Sequence, residues 1–100
     1  MTYVLIWQFR VAPEHRADFE RIYAPDGDWA ALFARSDGFL GTELLKDTEQ
    51  PGRYVTLDRW ASAGAFAAFK RLHAEAYATL DVACEGLTES ETRVGAFGSN

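Results

Sequence analysis

The sequence predicts an α+β fold in the ferredoxin-like arrangement β-α-β-β-α-β, with a four-stranded antiparallel sheet and helices on one face. Three observations carry this prediction: aromatic and β-branched runs alternate between two faces, segments with helical periodicity separate them, and Pro-Gly turn chemistry joins the two central runs. Crossover connections are right-handed, so both helical segments lie on the same face of the sheet. The other face is left to solvent or to a partner.

The first strand is predicted over Tyr3–Val11, a run rich in aromatic and β-branched residues that ends before Pro13. Its period of two puts Tyr3, Leu5, Trp7, Phe9 and Val11 on one face and Val4, Ile6, Gln8 and Arg10 on the other. Because the second face is also half apolar, we expect something to cover it. This predicts a homodimer through the open face of the sheet.

The first crossover is predicted as two helical pieces separated by the turn-forming residues 24–28. Pro13 suits the first turn of the first piece, and Asp28 is expected to cap the second. Gly38 is expected to end the second piece in the left-handed conformation that glycine adopts readily. Apolar residues recur at helical spacing in both pieces, with Phe19, Ile22 and Tyr23 in the first and Trp29, Leu32 and Phe33 in the second.

The second half of the chain predicts a hairpin, a long helix and a last strand. Strands over Leu40–Asp47 and Arg53–Trp60 flank the turn at residues 48–52. Ser62 is expected to cap one long helix that ends near Gly86, and a short strand follows over Glu91–Phe97. One face of that helix holds Phe66, Phe69, His73, Ala76, Tyr77 and Leu80.

Length, composition and charge limit the possible functions. One hundred residues predict a single domain over residues 1–100, and 48% hydrophobic residues supply a core. Fifteen acidic against ten basic residues give a net charge of -5, so we expect no nucleic-acid partner and no anionic membrane partner. Without an apolar run long enough to cross a bilayer, and with only Cys84 as a thiol, we expect a cytoplasmic protein with no internal disulfide.

A resemblance to a known family follows from residues around the end of the third strand. Residues 59–62 read Arg-Trp-Ala-Ser, and Ala65, Phe66 and Phe69 open the following helix. A strand-ending tryptophan before a capped helix with an early Ala-Phe pair resembles the antibiotic biosynthesis monooxygenase family of the dimeric α/β barrel superfamily. The resemblance covers nearly the whole chain.

That resemblance implies a function and its alternatives. Family members that are enzymes insert oxygen into aromatic polyketides or other electron-rich rings, some without a bound metal or flavin. The sequence is therefore expected to encode a cofactor-independent monooxygenase acting on a small aromatic or polyketide-like compound. The alternatives are a haem-binding or haem-degrading relative, with haem as its cofactor, and a non-catalytic dimeric ligand-binding module.

The resemblance also implies where the ligand lies and which residues surround it. The family's cavity lies between the sheet and the helices, near the tryptophan that corresponds to Trp60. Quinone-forming members pair that tryptophan with an asparagine and a tyrosine, where this chain has Thr56 and Phe66. Haem-degrading members combine a strand-one asparagine, where this chain has Gln8 or Phe9, with a helix-two histidine, which His73 matches.

The residues themselves identify two catalytic candidates, His73 and Asp58. The resemblance adds Trp60 as a third, with the role of positioning the substrate. A His73 that faces a cavity is predicted as a general base for a phenolic substrate or as an axial ligand of haem iron; the alternative is a core histidine satisfied by a carbonyl or by Tyr77. Asp58 shares its strand face with aromatic residues, so it could act as a base with a raised pKa or orient His73. The simpler alternative pairs Asp58 with Arg10 or Arg59.

Aromatic side chains are numerous enough to form a ligand pocket as well as a core, since they make up 14% of the chain. The candidates for contact with a planar substrate are Trp7, Phe9, Tyr23, Trp29, Phe33, Phe66 and Tyr77. No metal-ligand spacing is recognisable. Cys84 is interpreted as a buried structural thiol, and the acidic segment with Glu85, Glu89 and Glu91 as a solvated loop.

Overall fold

A computed structural model describes residues 2–99 and has the predicted ferredoxin-like α+β architecture. All neighbouring strands pair antiparallel, in the order β2-β3-β1-β4. The strands are β1 (Thr2–Arg10), β2 (Phe39–Lys46), β3 (Arg53–Trp60) and β4 (Ser90–Ser99), and the helices are α1 (Arg16–Ile22), α2 (Asp28–Phe33), α3 (Ala63–Leu72) and α4 (Ala74–Cys84). A single 3₁₀ turn at Pro13–His15 precedes α1.

The hairpin turn is fixed by its glycine. Gly52 has φ +86°, and a Cβ atom there would lie 2.6 Å from the carbonyl oxygen of Val11. That close approach allows the Val11 amide to donate a hydrogen bond to the Gly52 carbonyl at 2.8 Å. The turn therefore ties the β2–β3 hairpin to the end of β1.

Two predictions about the ends of α2 are wrong in detail. Asp28 is the first residue of the helix, and the capping position belongs to Gly27, which provides no side-chain cap. Gly38 does not adopt a positive φ. Its role is close packing, because a Cβ atom at Gly38 would lie 2.4 Å from the Cβ of Ala65. The glycine thus lets the chain before β2 approach α3.

The single long helix predicted after β3 is interrupted at His73, which separates α3 from α4. Its backbone has φ −118° and ψ 30°, outside the helical region. The hydrogen bonds continue across the break, since the His73 amide donates to Phe69 and its carbonyl accepts from the Tyr77 amide, both at 2.9 Å. No proline or glycine marks this position in the sequence. The predicted cap is confirmed, because Ser62 Oγ accepts a hydrogen bond from the Ala65 amide at 3.0 Å.

The core lies between the sheet and the helices. Tyr54, Thr56, Asp58 and Trp60 are buried on this side of β3, while the alternate residues of that strand remain partly exposed. This confirms the predicted two-residue alternation of β3. Trp60 has no exposed surface, and its ring centroid lies 5.2 Å from those of Phe39 and Phe69. Rings from the sheet and helices therefore pack directly on one another.

The second face of the sheet carries apolar residues that none of the described helices α1 to α4 covers. Ile6, Val55 and Leu57 are half-buried there, and Leu45 and Phe97 remain 49% and 48% exposed. An ion pair between Arg59 and Glu43, at 2.7 Å, lies on the same face. Within residues 2–99, no helix is long and apolar enough to span a bilayer.

Candidate active site

A cavity of about 40 Å³ lies between the sheet and the helices and is partly open to solvent. Both the sheet and the helical layer contribute to it, so no single element forms the site. Its lining residues are Trp7, Phe9, Tyr23, Trp29, Phe33, Thr42, Thr56, Asp58, Tyr77, Asp81 and Glu91. The walls are thus mainly aromatic, with a small number of polar groups, which is the usual composition of a small-molecule site.

Asp58 is the buried ionisable group of this cavity. Strand β3 directs its side chain towards the helices, and 8% of the residue remains exposed. Burial raises the pKa of Asp58 to about 6, and a hydrogen bond that the Thr42 hydroxyl donates to Oδ1 at 2.7 Å opposes part of that rise. The carboxyl group therefore titrates close to neutral pH, where a general base is most effective.

The alternative pairing of Asp58 with an arginine is wrong. Arg59 is the next residue on β3, so it points to the opposite face of the sheet, where it pairs with Glu43. Arg10 also lies away from the cavity and donates a hydrogen bond to Gln50 at 3.0 Å. Within residues 2–99 the Asp58 carboxylate forms no ion pair, and the Thr42 hydroxyl is its hydrogen-bond partner.

Two tyrosines line the same cavity with protonated hydroxyl groups. Burial raises the pKa of Tyr23 and of Tyr77 above the ordinary value for a phenol. Both hydroxyl groups therefore remain hydrogen-bond donors throughout the physiological pH range. Trp29 supplies a further donor, since its buried Nε1–H has no acceptor among residues 2–99.

Two further carboxylates lie at the solvent-exposed end of the cavity. Asp81 follows Tyr77 by one turn of α4, and Glu91 lies in β4 opposite Phe9. Partial burial raises the pKa of Glu91, and the negative charge of Asp81 adds to that rise. The interpretation of Glu91 as part of a solvated loop is therefore wrong, because β4 begins at Ser90 and places Glu91 on the cavity side of the sheet.

Comparison with known proteins agrees with this architecture. The family model for antibiotic biosynthesis monooxygenases matches residues 2–78. The chain belongs to the antibiotic biosynthesis monooxygenase family. This confirms the resemblance noted from the sequence around Trp60. No curated protein matches the chain significantly.

Solved structures of similar proteins extend the comparison. SnoaB from Streptomyces nogalater, described as a cofactor-independent oxygenase, is 25% identical with a TM-score of 0.80, over 99% of this chain and 93% of that chain. A candidate antibiotic biosynthesis monooxygenase from Deinococcus radiodurans is 19% identical with a TM-score of 0.77, over 100% of this chain and 93% of the other. The family thus supports a monooxygenase type of function.

The predicted site residues of this monooxygenase family member fall into two groups. Those that line the cavity are Asp58, Trp7, Phe9, Tyr23, Trp29, Phe33 and Tyr77. Trp60 and Phe66 lie outside the lining and pack against each other, with ring centroids 5.3 Å apart. The structure thus brings one catalytic candidate together with six of the seven predicted aromatic contacts.

His73 lies apart from the cavity. It is half-buried at the junction of α3 and α4, with its ring centroid 5.3 Å from that of Phe69. Its role as a general base stays a prediction. No histidine of residues 2–99 lines the cavity, so its lining does not provide the axial histidine that the haem alternative requires.

Sequence reasoning did not assign Thr42 or Asp81 to the site. Thr42 depends on the β2–β3 register, which places it directly opposite Asp58. A bulge between Phe39 and Gly41 shifts that register, so alternation along β2 alone could not establish it. Asp81 carried a usable signal, because it follows Tyr77 by four residues on one helix face.

Proposed function

We propose that this protein is a cofactor-independent monooxygenase that oxidises a small hydroxylated aromatic or polyketide-like compound, with Asp58 as the general base. The observation that carries the proposal is a buried carboxyl group, with its pKa raised to about 6, among the aromatic walls of a cavity. Membership of the monooxygenase family and similarity to SnoaB, a cofactor-independent oxygenase, support the type of reaction.

In this reaction Asp58 accepts the proton of a substrate hydroxyl group. The resulting anion is rich enough in electrons to react with molecular oxygen. Overall the substrate ring loses two hydrogens and gains one oxygen atom, while the second oxygen atom leaves as water. Asp58 then returns its proton during the formation of water. The rings of Trp7, Trp29 and Phe33 hold the planar substrate and exclude bulk water from the carboxylate.

The size of the cavity constrains how a substrate enters. A volume of about 40 Å³ holds a few water molecules, so an aromatic ring enters only when a wall side chain moves. Trp7 and Tyr77 are half-buried, whereas Phe9 and Phe33 are buried. We therefore expect Trp7 and Tyr77 to rotate when the substrate binds.

The test is oxygen consumption with 1,8-dihydroxyanthrone, a neutral hydroxylated probe, under ¹⁸O₂. We expect a quinone product that carries one labelled oxygen atom, formed faster than in buffer alone. Replacement of the base in Asp58→Asn is expected to lower the rate by about 100-fold or more, the usual effect of losing a general base. Asp18→Asn, the same substitution at an exposed position of α1, is the matched control.

The pH profile distinguishes a base from a structural carboxylate. Since the base must be ionised, kcat/KM is expected to rise with pH and to level off above a pKa of about 6. Equal rates for Asp58→Asn and the unmodified protein would contradict the proposal, as would a pH-independent rate between about pH 5 and 8.

The small cavity also favours a second candidate, a non-catalytic ligand-binding module. Phe33 and Trp60 lie with ring centroids 5.5 Å apart, so aromatic packing occupies much of the space beside the cavity. In that case the anthrone binds and quenches tryptophan fluorescence, but oxygen consumption does not exceed that of buffer.

The open face of the sheet supports a homodimer as the functional unit. Leu45 on β2 and Phe97 on β4 are large apolar side chains left about half exposed on the two edge strands of this face, and Leu57 on β3 is half-buried between those strands. We expect a dimer in sedimentation equilibrium and a monomer for Leu45→Glu. Leu72→Glu, at an exposed position of α3, is the control expected to remain dimeric. A monomeric unmodified protein at micromolar concentration would contradict this arrangement.

A further inference from the structure

The charged residues that line the cavity all have the same sign. Asp58 lies at its buried part, and Asp81 and Glu91 lie at its exposed end. The lining contains no lysine, arginine or histidine. Because Asp81 and Glu91 lie beyond residues 2–78, the family match gives no information about the charge at this end.

None of these three carboxylates forms an ion pair with a basic side chain in the part of the chain that the structure describes. The ion pairs found in residues 2–99 use Asp18, Glu20, Glu43 and Asp47 instead. Arg93 follows Glu91 by two residues in β4 but forms no ion pair within that range. Lys70 lies over the ring of Tyr77, with Nζ 4.0 Å from the centroid, and does not line the cavity.

The cavity walls reinforce this negative character. The faces of aromatic rings carry partial negative charge and attract cations, and Trp7, Trp29 and Tyr77 supply such rings. The same negative charge acts on the phenol of Tyr77: burial raises its pKa, and the charges of Asp81, Glu91 and Asp58 raise that pKa further. An anionic ligand therefore meets repulsion from the exposed end of the cavity to its buried part.

We infer that the ligand of this cavity is a phenol that carries a protonated amine and no carboxylate. This inference rests on the proposed function, since it names the substrate class of the same site. The hydroxyl group of the ligand faces Asp58, where its proton is removed, and the ammonium group lies between Asp81 and Glu91. Asp81 and Glu91 are thus specificity-determining residues, whereas Asp58 is the catalytic residue.

Three phenols of matched size test the inference: tyramine, tyrosol and 4-hydroxyphenylacetate, whose side chains are cationic, neutral and anionic. Binding is measured by calorimetry under nitrogen, so that no oxidation takes place. We expect tyramine to bind about tenfold more tightly than 4-hydroxyphenylacetate, as two partly exposed carboxylate contacts predict, with tyrosol between them. The difference is expected to shrink as salt is raised from about 0.01 M to about 1 M.

The double variant Asp81→Asn with Glu91→Gln removes the charge at the exposed end and is expected to equalise the three affinities. Glu85→Gln with Glu89→Gln is the matched control, because both glutamates are exposed, close in sequence and absent from the lining. The control is expected to keep the order of affinities. Retention of the unmodified protein's fluorescence spectrum and melting temperature establishes that each variant is folded.

The inference is overturned if 4-hydroxyphenylacetate, the anionic phenol, binds as tightly as tyramine. It is also overturned if the double variant of Asp81 and Glu91 keeps the same order of affinities. Failure of all three phenols to bind would do the same. The proposed function is tested separately. If the protein only binds its ligand, the order of affinities for the three phenols persists but no oxygen is consumed. Conversely, oxidation of the anthrone without a charge order retains the function and rejects this substrate class.

Discussion

The layer of rings between the sheet and the helices has two ends that differ in packing. At one end, which we call the packed end, Phe39, Trp60, Phe66 and Phe69 lie with neighbouring ring centroids 5.2 to 6.5 Å apart. At the other end, the hollow end, Thr56 and Asp58 stand among rings and leave the cavity. Both ends are built from the same face of β3.

The difference shows how a small domain forms a site without additional elements. Trp60 and Asp58 are two residues apart on one strand, so the backbone presents them identically. The indole fills the space between sheet and helices, whereas a short carboxylate leaves part of that space empty and requires a polar partner. Thr42 provides that partner from β2. We expect the packed end to stabilise the fold and the hollow end to reduce its stability.

The largest expected effect tests this division through two matched tryptophans. Trp60→Ala is expected to lower the free energy of unfolding by about 3 to 5 kcal/mol, because it removes a fully buried ring from close contacts. Trp7→Ala, at the hollow end, is expected to cost less than about 2 kcal/mol because that ring is half-buried. Urea unfolding measures both. Equal losses would remove the distinction between the two ends.

The next effect is a gain in stability at the hollow end. Burial raises the pKa of Asp58 to about 6, so the folded protein holds more protons than the unfolded chain between about pH 4 and 6. The buried carboxyl group therefore costs no stability at low pH, where it is protonated. As pH rises through that window it ionises, and the free energy of unfolding falls. Asp58→Asn is expected to increase the free energy of unfolding by up to about 3 kcal/mol at pH 8 and by almost nothing at pH 4.

A gain that is independent of pH would contradict this account of Asp58. The matched control is Asp18→Asn, whose carboxylate is exposed and paired with Arg21 on α1. That substitution is expected to change stability by less than about 1 kcal/mol at either pH.

A smaller effect is expected at the partner of Asp58. Thr42→Val keeps the shape of the side chain but removes the hydroxyl that donates to the carboxylate. Because that hydrogen bond opposes the effect of burial, its loss is expected to raise the pKa of Asp58 further and to move the midpoint of the kcat/KM profile upward by about one pH unit or less. Thr56→Val is the control on the same face. A midpoint that moves downward would contradict the assignment.

The smallest effect concerns the cation over the wall of the cavity. Lys70 Nζ lies 4.0 Å from the centroid of the Tyr77 ring. Lys70→Met keeps the length of the side chain and is expected to cost about 0.5 kcal/mol, the usual value for an exposed cation–π contact. Thermal unfolding measures this loss of stability, and Arg71→Met, at the exposed neighbouring position, is the control. If Lys70→Met lowers the free energy of unfolding by more than about 2 kcal/mol, Tyr77 belongs with the structural residues of the packed end.

Much of the fold could be predicted from local pattern, but the site could be predicted only in part. The bounds of β3 are as predicted, because Arg53–Trp60 combines strict alternation with a Pro-Gly turn before it. The break at His73 was missed, since no proline or glycine marks it. Aromatic contacts were largely found, because alternation and helical spacing assign a ring to the inner side. Packing between elements far apart in the chain decides which rings border the cavity. For that reason the sequence did not reveal that Phe66 lies outside the lining.

The sequence by itself determined the element order, the inner face of each central strand and the net negative charge of the chain. These properties follow from periodicity and composition, which are local or additive. Only the tertiary structure decided that Asp58 meets Thr42, that Glu91 reaches the same cavity as Asp81, and that His73 does not. Those outcomes depend on strand register, on a bulge in β2 and on a helix break, each of which arises from contacts between residues far apart in the chain.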